Sequence, residues 1–180
     1  MSRRARQRRQ WDPIIAAATF ARVMTVAAMT QSKELLSRED LNRMLLACRS
    51  GVDMIMRGTG TEAHANELVN AVNLATVLAD AGLGDEWHSI IDAGRAAIVA
   101  MGTRAQPDGS HPGRYVFRGP ELQAVQDLLD LHEVQLKDDR LTEGRLMAAV
   151  SEIHARRQRG QIYDPTMHGD TPSIAQGAAA

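Results

Sequence analysis

The side chains best suited to bind a ligand lie in the first eleven residues. Five arginines occur within seven positions, with no acidic residue among them: Arg3, Arg4, Arg6, Arg8 and Arg9. A guanidinium binds phosphate through two parallel hydrogen bonds and stacks on aromatic rings, so this composition suits a polyanion, above all a nucleic acid. Trp11 follows directly and can stack on an unpaired base. We interpret residues 1–11 as an exposed arginine-rich arm. The alternative is a solvated basic segment without a ligand, with Trp11 packed onto the following helix.

A second basic cluster, formed by Arg156, Arg157 and Arg159, lies at the C-terminal end of the last predicted helix. We count these arginines with the arm as candidate nucleic-acid-binding residues. A local explanation is open as well, because the helix dipole favours cations at a helix C-terminus without any ligand. The two clusters would form one basic face only if the fold brought them together.

The other reactive residue types show no catalytic or metal-binding spacing. The sequence contains no HExxH, no GxSxG and no nucleotide-binding glycine loop, and Cys48 is its only cysteine. His64 and His132 each continue an apolar stripe, which predicts histidines at the edge of the core that hydrogen-bond to a neighbour. A joint polar site requires their two helices to pack together, and its members would be His64, Glu67, His132 and Gln135. We expect no enzymatic activity, no cofactor and no metal.

Length and composition indicate one all-α domain. The 180 residues are 44 % hydrophobic but only 3 % aromatic, so the core must consist of aliphatic side chains, alanine and methionine. The net charge is −1, and since the arm carries +5, the rest of the chain carries about −6. Arg22 interrupts the first apolar run, which is shorter than the roughly 20 residues of a membrane span. Together with the single cysteine, this favours a cytoplasmic protein without a membrane role.

Apolar periodicity and capping residues predict a bundle of six helices. The expected ranges are 13–33, 37–57, 61–81, 85–101, 119–137 and 142–159, within a helical domain of residues 12–160. The first helix is apolar almost all round, which suits the centre of the fold or a homodimer interface. Residues 114–118, RYVFR, alternate in polarity and predict a short extended segment that pairs in a local hairpin or lies flat on the helices. Residues 161–180 have little apolar pattern, and we expect a flexible tail.

Two kinds of known sequence resemble parts of this chain. The segment RRARQRRQW resembles the arginine-rich RNA-binding peptides of lambdoid antiterminators and lentiviral export proteins. Residues 57–82 and 114–136 resemble small helical proteins of proteobacterial prophages and plasmids, for which no activity is established. The shared elements are G-T-E-x-H at 60–64, R-G-x-E-L at 118–122 and a later helix that contains His132, Gln135 and Leu136. The second resemblance implies a cytoplasmic protein of a mobile element.

Two hypotheses of function follow from these features. The first is a phage- or plasmid-type accessory protein that contacts nucleic acid, RNA or DNA, through the arm. The alternative is a protein-interaction module without a nucleic-acid role, such as an inhibitor of a host defence or regulatory protein. The arm favours the first hypothesis, whereas the lack of a recognisable helix-turn-helix favours the second.

Overall fold

The computed structural model describes residues 32–162, which form an all-α bundle. Its helices are α1 (Arg38–Met56), α2 (Glu62–Asp80), α3 (His88–Ala105), α4 (Gly119–Leu136) and α5 (Glu143–Gln158). Within this range there is no β-strand, and extended pairing is limited to one isolated bridge between Leu35 and Thr142. The all-α prediction is confirmed for residues 32–162, in which the five α-helices correspond to the last five of the six predicted. Most of the predicted first helix lies outside the described residues, as do the arm and residues 163–180 of the predicted tail.

Local capping accounts for where α1 and α5 begin. The Ser37 hydroxyl accepts the Asp40 amide at 3.1 Å, and the Thr142 hydroxyl accepts the Arg145 amide at 3.2 Å. Each bond satisfies an amide that has no partner inside its helix, so α1 and α5 begin where the sequence predicts.

The start of α3 differs from the prediction. Asp85 does not cap this helix, because Asp85–Trp87 forms a 3-10 turn and α3 begins at His88. Gly84 precedes the turn with φ +91°, a left-handed conformation that suits glycine, and the Trp87 ring lies where a Gly84 side chain would project. The helix also continues to Ala105, four residues beyond the predicted end at Met101.

The core has two clusters of buried apolar residues, and α2 contributes to both. The first cluster includes Val52 of α1, Leu68 of α2, Ile98 of α3 and Leu128 of α4. The second joins the other parts of α1, α2 and α4 to α5 and the turn before it, through Leu45, Leu78, Leu136, Leu141 and Ala149. Because each buried Leu, Ile or Val stabilises the fold by about 1.5–3 kcal/mol, these contacts fix α2 at the centre of the bundle.

The segment 114–118 lies on the helices and forms no hairpin, which settles the two alternatives. Tyr115 and Phe117 pack against the first core cluster, whereas Arg114, Val116 and Arg118 are exposed. The alternation predicted from RYVFR is therefore present without a partner strand in the described chain.

One ion pair holds this segment in place. Arg104 of α3 donates from Nη1 and Nη2 to the two carboxylate oxygens of Glu121 of α4, at 2.8 and 2.5 Å. The same Nη2 donates to the carbonyl of Val116 at 2.9 Å. Glu121 also accepts the Arg118 amide, so one carboxylate caps α4 and joins it to α3.

Candidate functional site

The predicted nucleic-acid-binding residues fall into two groups, one outside and one inside the part of the chain that the structure describes. Arg3, Arg4, Arg6, Arg8, Arg9 and Trp11 lie outside the described residues. Arg156, Arg157 and Arg159 are described, and all three lie at the C-terminal end of α5.

Arg156 and Arg159 contact carboxylates of the same bundle. Arg156 donates to Asp80 of α2 at 2.5 Å and to Glu152 of α5 at 2.8 Å, and its side chain is mostly buried. Arg159 reaches the same Glu152 at 3.1 Å. The bonds to Glu152 and Asp80 raise the pKa of Arg156, and the bond from Arg156 lowers the pKa of Glu152. Arg156 thus joins α5 to α2, and its role toward a polyanion stays a prediction.

Pairing of this kind is general in residues 32–162. This part of the chain has 15 basic and 19 acidic residues, a net charge of −4. Nine of its basic residues form ion pairs with its own carboxylates: Arg43, Arg49, Arg57, Arg95, Arg104, Lys137, Arg140, Arg156 and Arg159. Arg145 instead donates to the carbonyls of Ala81 and Arg140. The described body therefore presents an acidic balance to a polyanion.

His132 and Gln135 form a polar pair inside the core. Both are almost completely buried on α4, and His132 Nδ1 lies 3.2 Å from Gln135 Oε1. Gln135 Nε2 donates to the carbonyls of Ala75 and Leu83, so its Oε1 is the acceptor and His132 Nδ1 carries the proton. Burial lowers the pKa of His132 to about 4, which keeps the ring neutral. The predicted hydrogen bond to a neighbour is therefore present, but His132 lies inside the core and not at its edge.

The four-residue polar site is not assembled. His64 lies in the first turn of α2, where its Nδ1 accepts the Thr61 amide at 3.1 Å. Gln135 meets the same helix at Ala75, eleven residues later and roughly 16 Å along the axis. Glu67 is exposed on α2, near Cys48 of α1. Burial, and secondarily the Glu67 charge, raises the pKa of the Cys48 thiol to about 11, which makes it a poor nucleophile.

A cavity of about 200 Å³ lies between the first half of α2 and the last turns of α3. Its lining includes Glu62, Asn66, Gln106 and Tyr115 together with aliphatic side chains of the core. Asn66 Oδ1 is shielded from solvent and has no hydrogen-bond partner. An unsatisfied buried acceptor costs about 1–3 kcal/mol, so its retention on a cavity wall needs an explanation. The sequence patterns did not predict this cavity. The one feature of the sequence that indicates it is the polar Asn66, which lies between the apolar residues Ala65 and Val69 on α2.

A second groove, of about 270 Å³, lies between α2 and α5. Its floor is apolar and its rim is charged, with Asp80, Glu152 and Arg156 already paired to one another. Among residues 32–162, no three His, Cys, Asp or Glu side chains converge as a metal site would require. None of the described helices is long and apolar enough to cross a membrane.

Comparisons with known proteins found no relative of this chain. No protein-family model, curated protein or solved structure matches the chain.

Proposed function

We propose that this is a small accessory protein, of the kind carried by phages or plasmids, that contacts nucleic acid through its arginine-rich arm. The observation that carries the proposal is the separation of charge along the chain. The arm has five arginines and no acid, whereas residues 32–162 have a net charge of −4 and hold nine cations in internal ion pairs. A body of this charge repels phosphate on balance, so attraction to a polyanion must come from the arm. The phage or plasmid setting, and with it a cytoplasmic location, is supported by the sequence resemblance.

The cluster at the end of α5 is secondary in this proposal. Arg156, Arg157 and Arg159 together contribute no more than one net positive charge once Asp80 and Glu152 are counted beside them. Five arginines within seven positions, with no acidic residue among them in the sequence, produce a stronger local potential. Trp11 adds stacking, which is worth about 1–3 kcal/mol per base in single-strand binding and is lost on a closed duplex.

The test is a binding measurement with fluorescently labelled single-stranded DNA, duplex DNA and an RNA hairpin, followed by anisotropy. Three variants are compared with the full chain: Arg→Gln at all five arm arginines, Arg→Lys at the same five, and Trp11→Ala. Arg43→Gln is the matched control, because it removes one exposed cation of α1 that pairs with Glu39 and Asp40.

We expect the Gln variant to lose binding and the Arg43→Gln control to keep it. The Lys variant should retain part of the affinity, since charge remains but bidentate contacts do not. Loss on Trp11→Ala for the single strand but not for the duplex would identify stacking on unpaired bases. Equal binding by the full chain and the Gln variant contradicts the proposal.

A second candidate function is favoured by one surface of the bundle. Leu46 of α1 is 69 % exposed and Val134 of α4 is 55 % exposed. Each is one helical turn from the ion pairs that Arg49 makes across the two helices with Asp130 and Glu133. Apolar side chains around a bridged pair of helices suit a protein partner, such as a host defence or regulatory protein, or a second copy of the chain.

This alternative is tested without the arm. A chain that lacks residues 2–10 is compared with the same chain carrying Leu46→Glu and Val134→Glu, in a sedimentation assay of oligomeric state and in retention of host proteins. Val116→Glu is the control, since Val116 is an exposed apolar residue on the segment before α4. The module hypothesis requires association that survives removal of the arm and is lost only with the α1 and α4 substitutions.

A further inference from the structure

The cavity between α2 and α3 combines an apolar floor with acceptors at its edge. The floor consists of core side chains: Ala65, Val69, Ile98, Met101 and Ala105. Glu62 and Asn66 lie four residues apart on α2 and therefore on the same face of the helix. Among residues 32–162, no Lys, Arg or His lines the cavity. A ligand here would meet apolar core side chains together with the oxygen acceptors of Glu62 and Asn66.

The negative charge of the cavity lining favours a ligand of positive charge. Glu62 forms no ion pair in the described part of the chain, and Asn66 Oδ1 is buried without a donor. An anion would be repelled by Glu62, and a purely apolar ligand would leave Oδ1 unsatisfied. The α2 N-terminus carries a partial positive charge of about one half, which the full negative charge of Glu62 exceeds. The lining therefore favours a cation with several N–H donors.

The volume limits the size of such a cation. About 200 Å³ corresponds to six or seven water molecules at roughly 30 Å³ each, and so to a molecule of about the same number of heavy atoms. A primary amine with a short branched carbon chain fits this limit.

We infer that this cavity is a binding site for a small alkylammonium ion. Its ammonium group donates to Glu62 and Asn66 Oδ1, and its carbon chain packs on Val69, Ile98 and Met101. This proposed activity is separate from contact with nucleic acid, since it is argued from Glu62 and Asn66 of α2 and not from the arginines of the arm.

The experiment is a titration of the full-length, nitrogen-15-labelled chain, followed by amide chemical shifts at neutral pH. Three probes share one branched carbon chain and differ in charge: 3-methylbutylammonium, 3-methylbutan-1-ol and 3-methylbutanoate. We expect saturable shifts confined to residues 62–69 and 98–106, with a Kd of about millimolar for the cation and binding at least about tenfold weaker for the anion. Shifts that fail to saturate with the cation, or equal affinities for cation and anion, overturn the inference.

Variants separate the site from general charge attraction. Glu62→Gln should weaken binding of the cation by about tenfold, because a charge-assisted hydrogen bond becomes a neutral one. Glu67→Gln is the matched control, since it removes the same charge from the same helix outside the cavity. Asn66→Leu should abolish binding without lowering the thermal midpoint of the free protein, because it removes the unsatisfied acceptor. Equal effects of the two glutamate variants, or unchanged binding by Asn66→Leu, refute the site.

Discussion

The side-chain amide of Gln135 donates to the main-chain carbonyl of Leu83, with 2.8 Å between Nε2 and the oxygen. The same nitrogen reaches the Ala75 carbonyl at 3.1 Å, and Gln135 Oε1 accepts from His132. One side chain of α4 thereby joins α2, the turn that follows α2, and a buried histidine. The polar pair in this core has a structural role, since the two bonds that Gln135 donates hold α4 against α2 and the turn that follows α2.

Replacing Gln135 should therefore destabilise the fold. Gln135→Leu leaves the Leu83 carbonyl and the His132 Nδ1–H without partners, and each unsatisfied buried group costs about 1–3 kcal/mol. We expect the free energy of unfolding, measured by chemical denaturation, to fall by about 2–6 kcal/mol. Gln123→Leu on the exposed face of α4 is the control, since Gln123 bonds only to Asp127, and it should change stability by less than about 0.5 kcal/mol. An equal loss of unfolding free energy in both variants would show that the Gln135 bonds do not stabilise the fold.

The stability of the protein should depend on pH through His132. Burial lowers its pKa to about 4, whereas an unfolded histidine has a pKa of 6.5. Between these values the unfolded chain binds a proton that the folded chain does not, so stability is full above pH 6.5 and falls as the pH drops toward 4. The loss over this window is about 3 kcal/mol.

Urea denaturation at several pH values checks this dependence. His132→Leu should stay folded at neutral pH and show a flatter profile between pH 6.5 and 4. His111→Gln, in the exposed loop after α3, should keep the profile of the unsubstituted protein. A His132→Leu profile as steep as that of the unsubstituted protein would place the titrating group elsewhere.

Local sequence signals determined the helices well and the long-range contacts poorly. Ser37 and Thr142 were recognisable as caps because their bonds reach only three residues along the chain. Asp85 resembled a cap for the same local reasons, but the left-handed Gly84 and the packing of Trp87 delay the start of α3.

The candidate sites show the same division between local and long-range information. The apolar stripe predicted that His132 faces the core, whereas the bonds of Gln135 reach residues 60 and 52 positions away and depend on how α2 and α4 pack. The cavity at Asn66 arises from the convergence of α2 with α3. No local sequence pattern predicts how these two helices pack together.

Gly94 of α3 lets Leu128 of α4 pack closely against the α3 backbone. A methyl group at this position would lie 2.7 Å from the Leu128 Cβ, closer than packed carbons allow. Gly94→Ala should therefore lower stability by about 1–3 kcal/mol through overpacking. The same substitution at Gly119, the first residue of α4, meets no atom within 4 Å and should raise stability by about 0.5 kcal/mol. Thermal unfolding of the two variants gives the comparison, and shifts of the same sign would contradict this account of the helix contact.

The Arg104–Glu121 ion pair should stabilise the bundle more than any exposed pair. Its side chains are only 12 % and 17 % exposed, and it holds α3, α4 and the Val116 carbonyl together. Glu121→Gln should cost about 1.5–3 kcal/mol, the range for hydrogen bonds to charged groups. Glu39→Gln, which weakens an exposed pair with Arg43, should cost less than about 1 kcal/mol. Chemical denaturation at neutral pH separates the two, and a loss for Glu121→Gln no larger than for Glu39→Gln would refute the ranking.

The dependence of nucleic-acid binding on salt tests the central proposal most directly. If five arm arginines neutralise five phosphates, the logarithm of the binding constant should fall against the logarithm of salt concentration with a slope of about −4.5 on duplex DNA, or about −3.5 on a single strand. With all five arginines replaced by glutamine, binding at low salt should disappear. A slope near zero for the full chain, or an equal slope for the glutamine variant, would contradict the account.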